Sequence, residues 1–198
     1  MDKEGKRTYV INGISNNSSK PPQAIVNFAQ AINAKLGYLE VKTVMGIYNQ
    51  GHVQDLVDVG AEMINHNRYS TQVTNFILND LKNTPMQKGD ILNLIGYSGG
   101  GQIAFNVADK LKGKYQVDKL ITLGSPAAEI TRSNINQVTH FSSIIDPVKW
   151  LGWLAIPPIT NIFDYNANEK YYLNVPHFGP NSYLNNGRIV NDVSNLLR

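Results

Sequence analysis

The pentapeptide GYSGG, from Gly96 to Gly100, follows an apolar run and precedes a stretch of small residues. Where a strand turns sharply into a helix the two elements approach closely, so the positions flanking a serine at that turn must lack side chains. This spacing predicts that Ser98 is forced outward as an exposed nucleophile. Gly99, the next residue, offers a backbone N–H group to an oxyanion that develops on a substrate.

A serine hydroxyl becomes an effective nucleophile only when a base removes its proton and a carboxylate orients that base. Among the four histidines, His177 is the best placed, because it follows the last predicted strand in a loop rich in turn residues. His52 and His66 precede the GYSGG turn. His140 lies within an alternating strand, where a packed or hydrogen-bonded ring is the commoner role. We therefore predict His177 as the general base.

Asp146 is the preferred carboxylate, because it ends a predicted strand and so belongs at the same sheet edge as the histidine loop. Asp164, after an apolar segment, is its main competitor. Asp118 precedes its strand and belongs at the opposite edge, while Glu129 lies in a segment of less certain position. The alternative role for Asp146 is that of a turn-initiating Asp-Pro pair.

Ser125, in LGSPA, also follows a strand and a glycine. The next residue is Pro126, which has no N–H group to offer an oxyanion. Ser125 is therefore not the predicted nucleophile.

No metal site or cofactor is predicted. The segment DYNANEK, from Asp164 to Lys170, begins like a calcium-binding loop, but Glu169 stands where glycine is needed and Val175 where glutamate is needed. The chain has no cysteine, which excludes thiolate catalysis, disulfides and cysteine-based zinc sites.

Strands alternate with helices along the chain, which predicts an α/β fold with a doubly wound, mostly parallel sheet. Its ligands should gather at the carboxyl ends of the strands. The predicted strands are 9–11, 41–44, 91–97, 119–123, 138–145 and 171–175. The predicted helices are 21–36, 53–81 in two pieces broken near 66–70, 101–111 and 192–197.

A length of 198 residues fits one domain, 1–198. The net charge of +3 comes from scattered residues and does not favour nucleic acid as a partner. The start shows no apolar signal-peptide core, and the apolar segment 150–163 is too short and too broken by prolines to span a bilayer. The compartment, cytoplasmic or secreted within a larger protein, and the oligomeric state stay open.

The order Ser98, Asp146, His177 resembles that of the α/β-hydrolase superfamily, and the chain is similar to its small lipase and esterase members. The likeness spans most of the chain: NGI after the first strand, the GYSGG turn, LGSP and DPV at later strand ends, and His177 followed by Ser182 before the last helix. The resemblance implies the α/β-hydrolase fold in a minimal form.

The same resemblance implies that a second oxyanion donor, paired with Gly99, is the backbone N–H of Ile14 or Ser15. It also implies hydrolysis of carboxylic esters through a Ser-His-Asp triad and an acyl-enzyme, with neither metal nor organic cofactor.

The segment 149–164, between acid and base, begins KWLGWLAIPPITNIF and carries Trp150 and Trp153. One interpretation is an acyl-binding wall or a mobile lid that contacts a membrane surface transiently. The other is a buried segment that crosses the sheet. The first would favour hydrophobic acyl or lipid esters and would make the two tryptophans substrate-binding residues.

Three alternatives to an ester hydrolase are open. An acyltransferase or thioesterase would use the same triad with another acceptor or donor. A non-catalytic interaction protein could retain the fold, because fold alone does not establish activity. NGI together with GIYNQG, 46–51, also resembles hydrolase-like domains at the ends of Rhs-type bacterial toxin proteins, which implies an effector acting on phospholipid.

Overall fold

The computed structural model describes residues 5–13, 22–37, 39–44, 68–126, 134–143, 145–146, 148, 168–172, 174–176 and 182–198. In these ranges lie the strands β1 (Lys6–Ile11), β2 (Leu39–Val44), β3 (Ile91–Tyr97), β4 (Val117–Leu123), β5 (Ile135–Ser143) and β6 (Asn168–Tyr172). They also contain the helices α1 (Gln23–Leu36), α2 (Arg68–Asn83), α3 (Gly100–Lys110) and α4 (Gly187–Leu197).

The six strands form one sheet in the order β2-β1-β3-β4-β5-β6, and every neighbouring pair is parallel. The chain adds β2 on one side of β1 and then β3 to β6 on the other, so the winding direction reverses between β1 and β3. In such sheets ligands bind beyond the carboxyl ends of the strands at this reversal. The doubly wound α/β prediction is confirmed, and the GYSGG turn lies at the reversal point.

Successive side chains along each strand point to opposite faces of the sheet, so the hydrophobic core has two parts, one on each face. Tyr9 and Ile11 of β1 point to the face covered by α2 and α3, whereas Val10 points to the face covered by α1 and α4. Strand β3 divides in the same way and is buried from Leu92 to Tyr97. Burial on both faces explains its nearly continuous apolar sequence.

Helix α1 matches its prediction closely. The residues that it buries are those of the predicted apolar stripe: Ile25, Phe28, Ala29, Ile32 and Leu36. Gly37 ends the helix in the left-handed conformation, with φ 62°, and donates its N–H group to Asn33 O at 2.8 Å.

The ends of several other elements differ from their predictions. Strand β5 ends at Ser143 rather than 145, and β6 is Asn168–Tyr172 rather than 171–175. Helix α4 begins five residues early, at Gly187, because the Asn186 side chain accepts hydrogen bonds from the N–H groups of Arg188 and Ile189.

Helix α2 covers the second predicted piece of 53–81, and the first piece lies outside the described residues. Val73, Ile77 and Leu81 are buried as predicted. Phe76, which belongs to the same apolar repeat in the sequence, is 49% exposed. The packed stripe of α2 is therefore narrower than the sequence suggested.

Candidate active site

Ser98 lies between β3 and α3 with a backbone φ of 54°, the only positive φ of a non-glycine residue in the part of the chain that the structure describes. This left-handed conformation costs a residue with a side chain about 1–3 kcal/mol, so it persists only where the surroundings enforce it. The Ser98 N–H donates to Leu123 O at 2.9 Å, and its carbonyl accepts from the Gly101 N–H at 3.0 Å. These bonds hold the sharp turn that the sequence predicted.

Two glycines make room for this turn. A side chain at Gly96 would run into the backbone of Gly100 and Gly101. A Cβ atom at Gly100 would lie 2.5 Å from the carbonyl oxygens of both Ile11 and Asn12. The close approach of strand and helix, inferred from the G-x-S-x-G spacing, is therefore the packing that the structure shows.

Gly13, two residues after β1, lies against Ser98. A Cβ atom there would lie 2.5 Å from Ser98 Cβ and 3.1 Å from Ser98 Oγ. The sequence identified Asn12-Gly13 only as a strand end and did not assign Gly13 a place beside the serine. The parallel pairing of β1 with β3 brings Gly13 close to Ser98, because Ile11 is in register with Gly96 and each lies two residues before its own member of this pair.

Ser98 is nevertheless only 3% exposed, so the expectation of an exposed hydroxyl is wrong in that respect. Gly99 follows it as the N-cap residue of α3. The first N–H groups of a helix have no partner within the helix, and the helix dipole is positive at this end. A carbonyl oxygen that became negatively charged on attack by Ser98 would therefore lie in a favourable field.

Asp146 is fully buried at the carboxyl edge of the sheet, three residues after β5. Its Oδ1 accepts the Val148 N–H at 2.9 Å, and its own N–H donates to Ser143 O at 3.2 Å. Its Oδ2 would lie 2.7 Å from a Cβ atom at Gly124, the residue that follows β4. Asp146 follows β5, Gly124 follows β4 and Ser98 follows β3. These three strands are neighbours in the sheet, in the order β3-β4-β5.

Two tyrosines feel the negative charge of this carboxylate. Burial raises the pKa of Tyr183, and the negative charge of Asp146 raises this pKa further. Burial and the charge of Asp146 also raise the pKa of Tyr97. Both phenols therefore stay protonated at neutral pH, and the sequence analysis had not linked either of them to the acid.

Several predicted site residues lie outside the described residues: Ile14, Ser15, Trp150, Trp153, Asp164 and His177, with His52 and His66. The chain just before His177 is described. Val175 is 3% exposed, and its N–H donates to Ser143 Oγ at 3.2 Å. This bond fixes the chain two residues before His177 to the end of β5, which is also where Asp146 is held.

His140 has the packed role that the sequence favoured. Its Nδ1 lies 2.6 Å from Thr122 Oγ1, and its ring lies 6.0 Å from that of Phe105, measured between centroids. Both neighbours belong to the α3 face of the sheet. Within the described ranges, no group of three or more His, Asp or Glu side chains is arranged to hold a metal ion.

The sequence pattern of the family described as palmitoyl protein thioesterase matches residues 9–197. Among solved structures, the RedJ thioesterase of the prodiginine biosynthetic pathway in Streptomyces coelicolor is 14% identical with a TM-score of 0.55, over 96% of this chain and 85% of that one. A serine hydrolase without a lid from Xanthomonas campestris is 13% identical with a TM-score of 0.54, over 96% and 78%. Dienelactone hydrolase from Anabaena variabilis is 11% identical with a TM-score of 0.54, over 98% and 84%. No curated protein matches the sequence.

The fold and these comparisons define a hydrolase of the α/β superfamily, of the esterase and thioesterase kind. Within that superfamily, the chain belongs to the palmitoyl protein thioesterase family. None of the helices in the described ranges is long and apolar enough to cross a membrane.

Proposed function

We propose that this protein hydrolyses acyl esters through a covalent acyl-enzyme, with Ser98 as nucleophile, His177 as general base and Asp146 as the acid that orients the histidine. The observation that carries the proposal is the strained backbone of Ser98 at the turn between β3 and α3. Strain of this kind is retained where a side chain must be presented in one direction, which is what a nucleophile requires.

In the proposed reaction, Ser98 Oγ attacks the acyl carbonyl carbon while its proton passes to His177. The N–H groups of Gly99 and Ile14 bind the carbonyl oxygen as it becomes an oxyanion. His177 then protonates the leaving group as the bond from the acyl carbon to it breaks. Water attacks the acyl-enzyme by the same route and restores Ser98.

Asp146 supports this cycle electrostatically. Its carboxylate accepts a backbone hydrogen bond from Val148, which fixes its orientation, and it lies at the sheet edge where the chain that precedes His177 is held through Val175. An ionised carboxylate orients the imidazole and stabilises the imidazolium that forms during attack.

For the acyl group, the apolar segment 149–164 supports a hydrophobic substrate, with Trp150 and Trp153 against the acyl chain. It would also support transient contact with a membrane surface that holds such substrates. The family description favours a thioester as a second candidate substrate, beside the oxygen ester. Both substrates need the same nucleophile and oxyanion site, and no cofactor.

Two serines of the same sheet edge provide the test. Ser98→Ala should abolish p-nitrophenyl ester hydrolysis and labelling by a fluorophosphonate, because only this serine sits at the strained turn. Ser125→Ala, which alters a serine after the neighbouring strand, should retain both. Wild-type protein that shows neither activity nor labelling would contradict the proposal and favour a non-catalytic role.

Matched S-acyl and O-acyl substrates with the same long chain then separate the two substrate candidates by kcat/KM. Adding an alcohol or thiol acceptor and analysing the products distinguishes hydrolysis from acyl transfer.

A further inference from the structure

Five lysine side chains gather at the amino edge of the sheet, the edge opposite the candidate site. Lys82 lies in the last turn of α2 and Lys110 in the last turn of α3. Lys88 belongs to the loop between α2 and β3, whereas Lys112 and Lys114 belong to the loop between α3 and β4. Because helices that connect parallel strands run back from the carboxyl edge, both loops lie where the strands begin. We call these five side chains the lysine patch.

The two loops that carry the lysine patch are neighbours in space. They lead into β3 and β4, which pair with each other in the sheet. Leu81 and Leu111, next to lysines of the two segments, are buried in one hydrophobic cluster, and Met86 and Tyr115 pack against it. The fold therefore brings together lysines that are scattered along the sequence.

The positive charges of the lysine patch are available to a partner. Four of its members are exposed and Lys110 is half-buried. Within the described ranges, no member forms an ion pair or a side-chain hydrogen bond. Asp109, which is also exposed, is the one acidic residue inside the two lysine-bearing segments, 82–89 and 109–116. The patch therefore keeps an excess of positive charge.

The other described carboxylates near this edge have partners of their own. Asp118 pairs with Lys119 at 3.0 Å, and Asp80 pairs with Lys42 at 2.7 Å. Both carboxylate oxygens of Asp90 accept backbone N–H groups. These contacts engage the acids elsewhere and leave the lysine patch without a counter-charge from them.

Helix stability accounts for only part of the lysine patch. A cation in the last turn of a helix interacts favourably with the negative end of the helix dipole, which explains Lys82 and Lys110. Lys88, Lys112 and Lys114 lie beyond the helix ends. Like charges gathered on one edge raise the local positive potential, which attracts an anionic partner.

The chemistry of the lysine patch suits an anionic lipid surface better than a nucleic acid. Lysine ammonium groups are point charges on flexible stems, and attraction to a charged bilayer needs no fixed partner geometry. Nucleic-acid sites add arginine forks, backbone N–H groups or helix N-termini that contact phosphates. At this edge α2 and α3 present their C-termini, and the Arg7 guanidinium donates to Thr84 O at 2.6 Å.

We propose that the lysine patch docks this protein on the surface of an anionic lipid bilayer. Strand β3 runs for 7 residues from the amino edge to the turn of Ser98, so the candidate site lies about 20 Å from the docked edge. The docked protein therefore keeps this site open to water. Docking involves a different edge of the sheet and does not depend on the proposed hydrolysis.

Vesicle sedimentation tests the proposal. Wild-type protein should bind vesicles of equimolar phosphatidylglycerol and phosphatidylcholine at about 0.05 M NaCl and should be released at about 0.5 M, because salt screens charges at this distance. It should not bind vesicles of phosphatidylcholine alone. Absence of binding to the anionic vesicles at low salt would overturn the proposal.

Two double variants with the same change in net charge locate the docking surface. Lys112→Gln with Lys114→Gln should raise the lipid concentration for half-maximal binding about 30-fold, since each lysine near an anionic surface contributes about a fivefold gain. Lys35→Gln with Arg188→Gln changes exposed residues of α1 and α4, on the other face of the sheet, and should bind like wild type. Equal weakening in both variants would assign binding to total charge and overturn the proposal.

Two further outcomes would assign the contact elsewhere. Binding that persists at about 0.5 M NaCl, or that occurs on phosphatidylcholine alone, would mean that the apolar segment 149–164 makes the contact instead. Tighter binding to a DNA duplex than to anionic vesicles at the same salt concentration would make the lysine patch a nucleic-acid surface. Either result contradicts docking of the lysine patch on lipid.

Hydrolysis of the water-soluble ester p-nitrophenyl acetate tests the orientation. Saturating anionic vesicles should leave its rate unchanged, because the docked edge is remote from Ser98. Inhibition by the vesicles would place the carboxyl edge against the bilayer and overturn the proposal. If the wild type hydrolyses no ester, the proposed function fails, whereas the sedimentation results still decide whether the lysine patch docks on lipid.

Discussion

The nucleophile end and the acid end of the candidate site are built in different ways. At the nucleophile end, the tight turn of Ser98 depends on its own neighbours, Gly96 and Gly100, pressed between β3, α3 and the end of β1. At the acid end, Asp146 is surrounded by Gly124, Tyr183 and Val148, of which only Val148 is close in sequence. A short motif can encode the first arrangement, whereas the second exists only after distant segments have packed together.

The two ends also use the same backbone conformation for different purposes. Ser98 has φ 54° and Gly124 has φ 53°. At Gly124 glycine adopts this conformation freely and leaves room for the acid and its tyrosine. At Ser98 the proposed function needs a side chain, which would explain why the strain is retained. The comparison shows that a residue with a side chain adopts this conformation at Ser98, the proposed nucleophile, whereas glycine takes it beside the acid.

The largest effect should follow from filling the space beside the nucleophile. Gly13→Ala would place a methyl group 2.5 Å from Ser98 Cβ and 2.9 Å from Tyr97 O, so the serine or its turn must shift. Because misplacement by about 1 Å can cost about 100-fold in rate, we expect kcat/KM for a p-nitrophenyl ester to fall by about that factor.

Gly187→Ala is the control for this variant, because a Cβ atom there meets nothing within 4 Å and Gly187 opens α4. It should keep full activity. If Gly13→Ala also keeps full activity, the tight packing around Ser98 is not needed for catalysis, and this part of the comparison is wrong.

A smaller effect should follow from loosening the acid end. Ser143→Ala removes the acceptor for the buried Val175 N–H and so frees the chain that leads to His177. An unpaired buried N–H costs about 1–3 kcal/mol, so urea unfolding should show a loss of that order, with a several-fold fall in kcat. Ser142→Ala, at the adjacent position on the opposite face of β5, should leave kcat unchanged. Equal kcat values for the two variants would show that the bond to Val175 has no part in catalysis.

The smallest effect on activity is expected from a tyrosine and aspartate pair remote from both ends. Burial alone would raise the pKa of Asp80, but hydrogen bonds from Lys42 and Tyr9 outweigh this and lower it. A carboxyl whose pKa is lowered on folding stabilises the protein above its unfolded pKa, and this stabilisation is lost as the pH falls below about 4.

Wild type should therefore lose more stability than Asp80→Asn between neutral pH and about pH 3, measured by urea unfolding at each pH. Hydrolysis at neutral pH should be the same for both. A large loss of hydrolysis in Asp80→Asn would mean that a tyrosine and aspartate pair away from both ends affects activity through the fold in general, which would contradict the comparison.

Much of the fold could be predicted from the sequence, because hydrophobic periodicity reports burial directly. The stripe of α1 and the continuous apolar run of β3 are examples. The limits of β6 could not be read in this way. Its observed residues, NEKYY, carry weak strand propensity, and pairing with β5 from Thr139 to Ser143 decides where the strand lies. The start of α4 was different, since the Asn186 cap was a signal present in the sequence and missed.

By itself, the sequence determined the tight turn at Ser98 and predicted the nucleophile, acid and base that the proposed function uses, since each depends on residue types at short spacing or at strand ends. Only the tertiary structure placed Gly13 against Ser98, and Gly124 and Tyr183 around Asp146. The physical reason is that a backbone turn is governed by steric limits among neighbouring residues. The environment of a buried carboxylate instead depends on which distant strands and loops the parallel sheet brings to one edge.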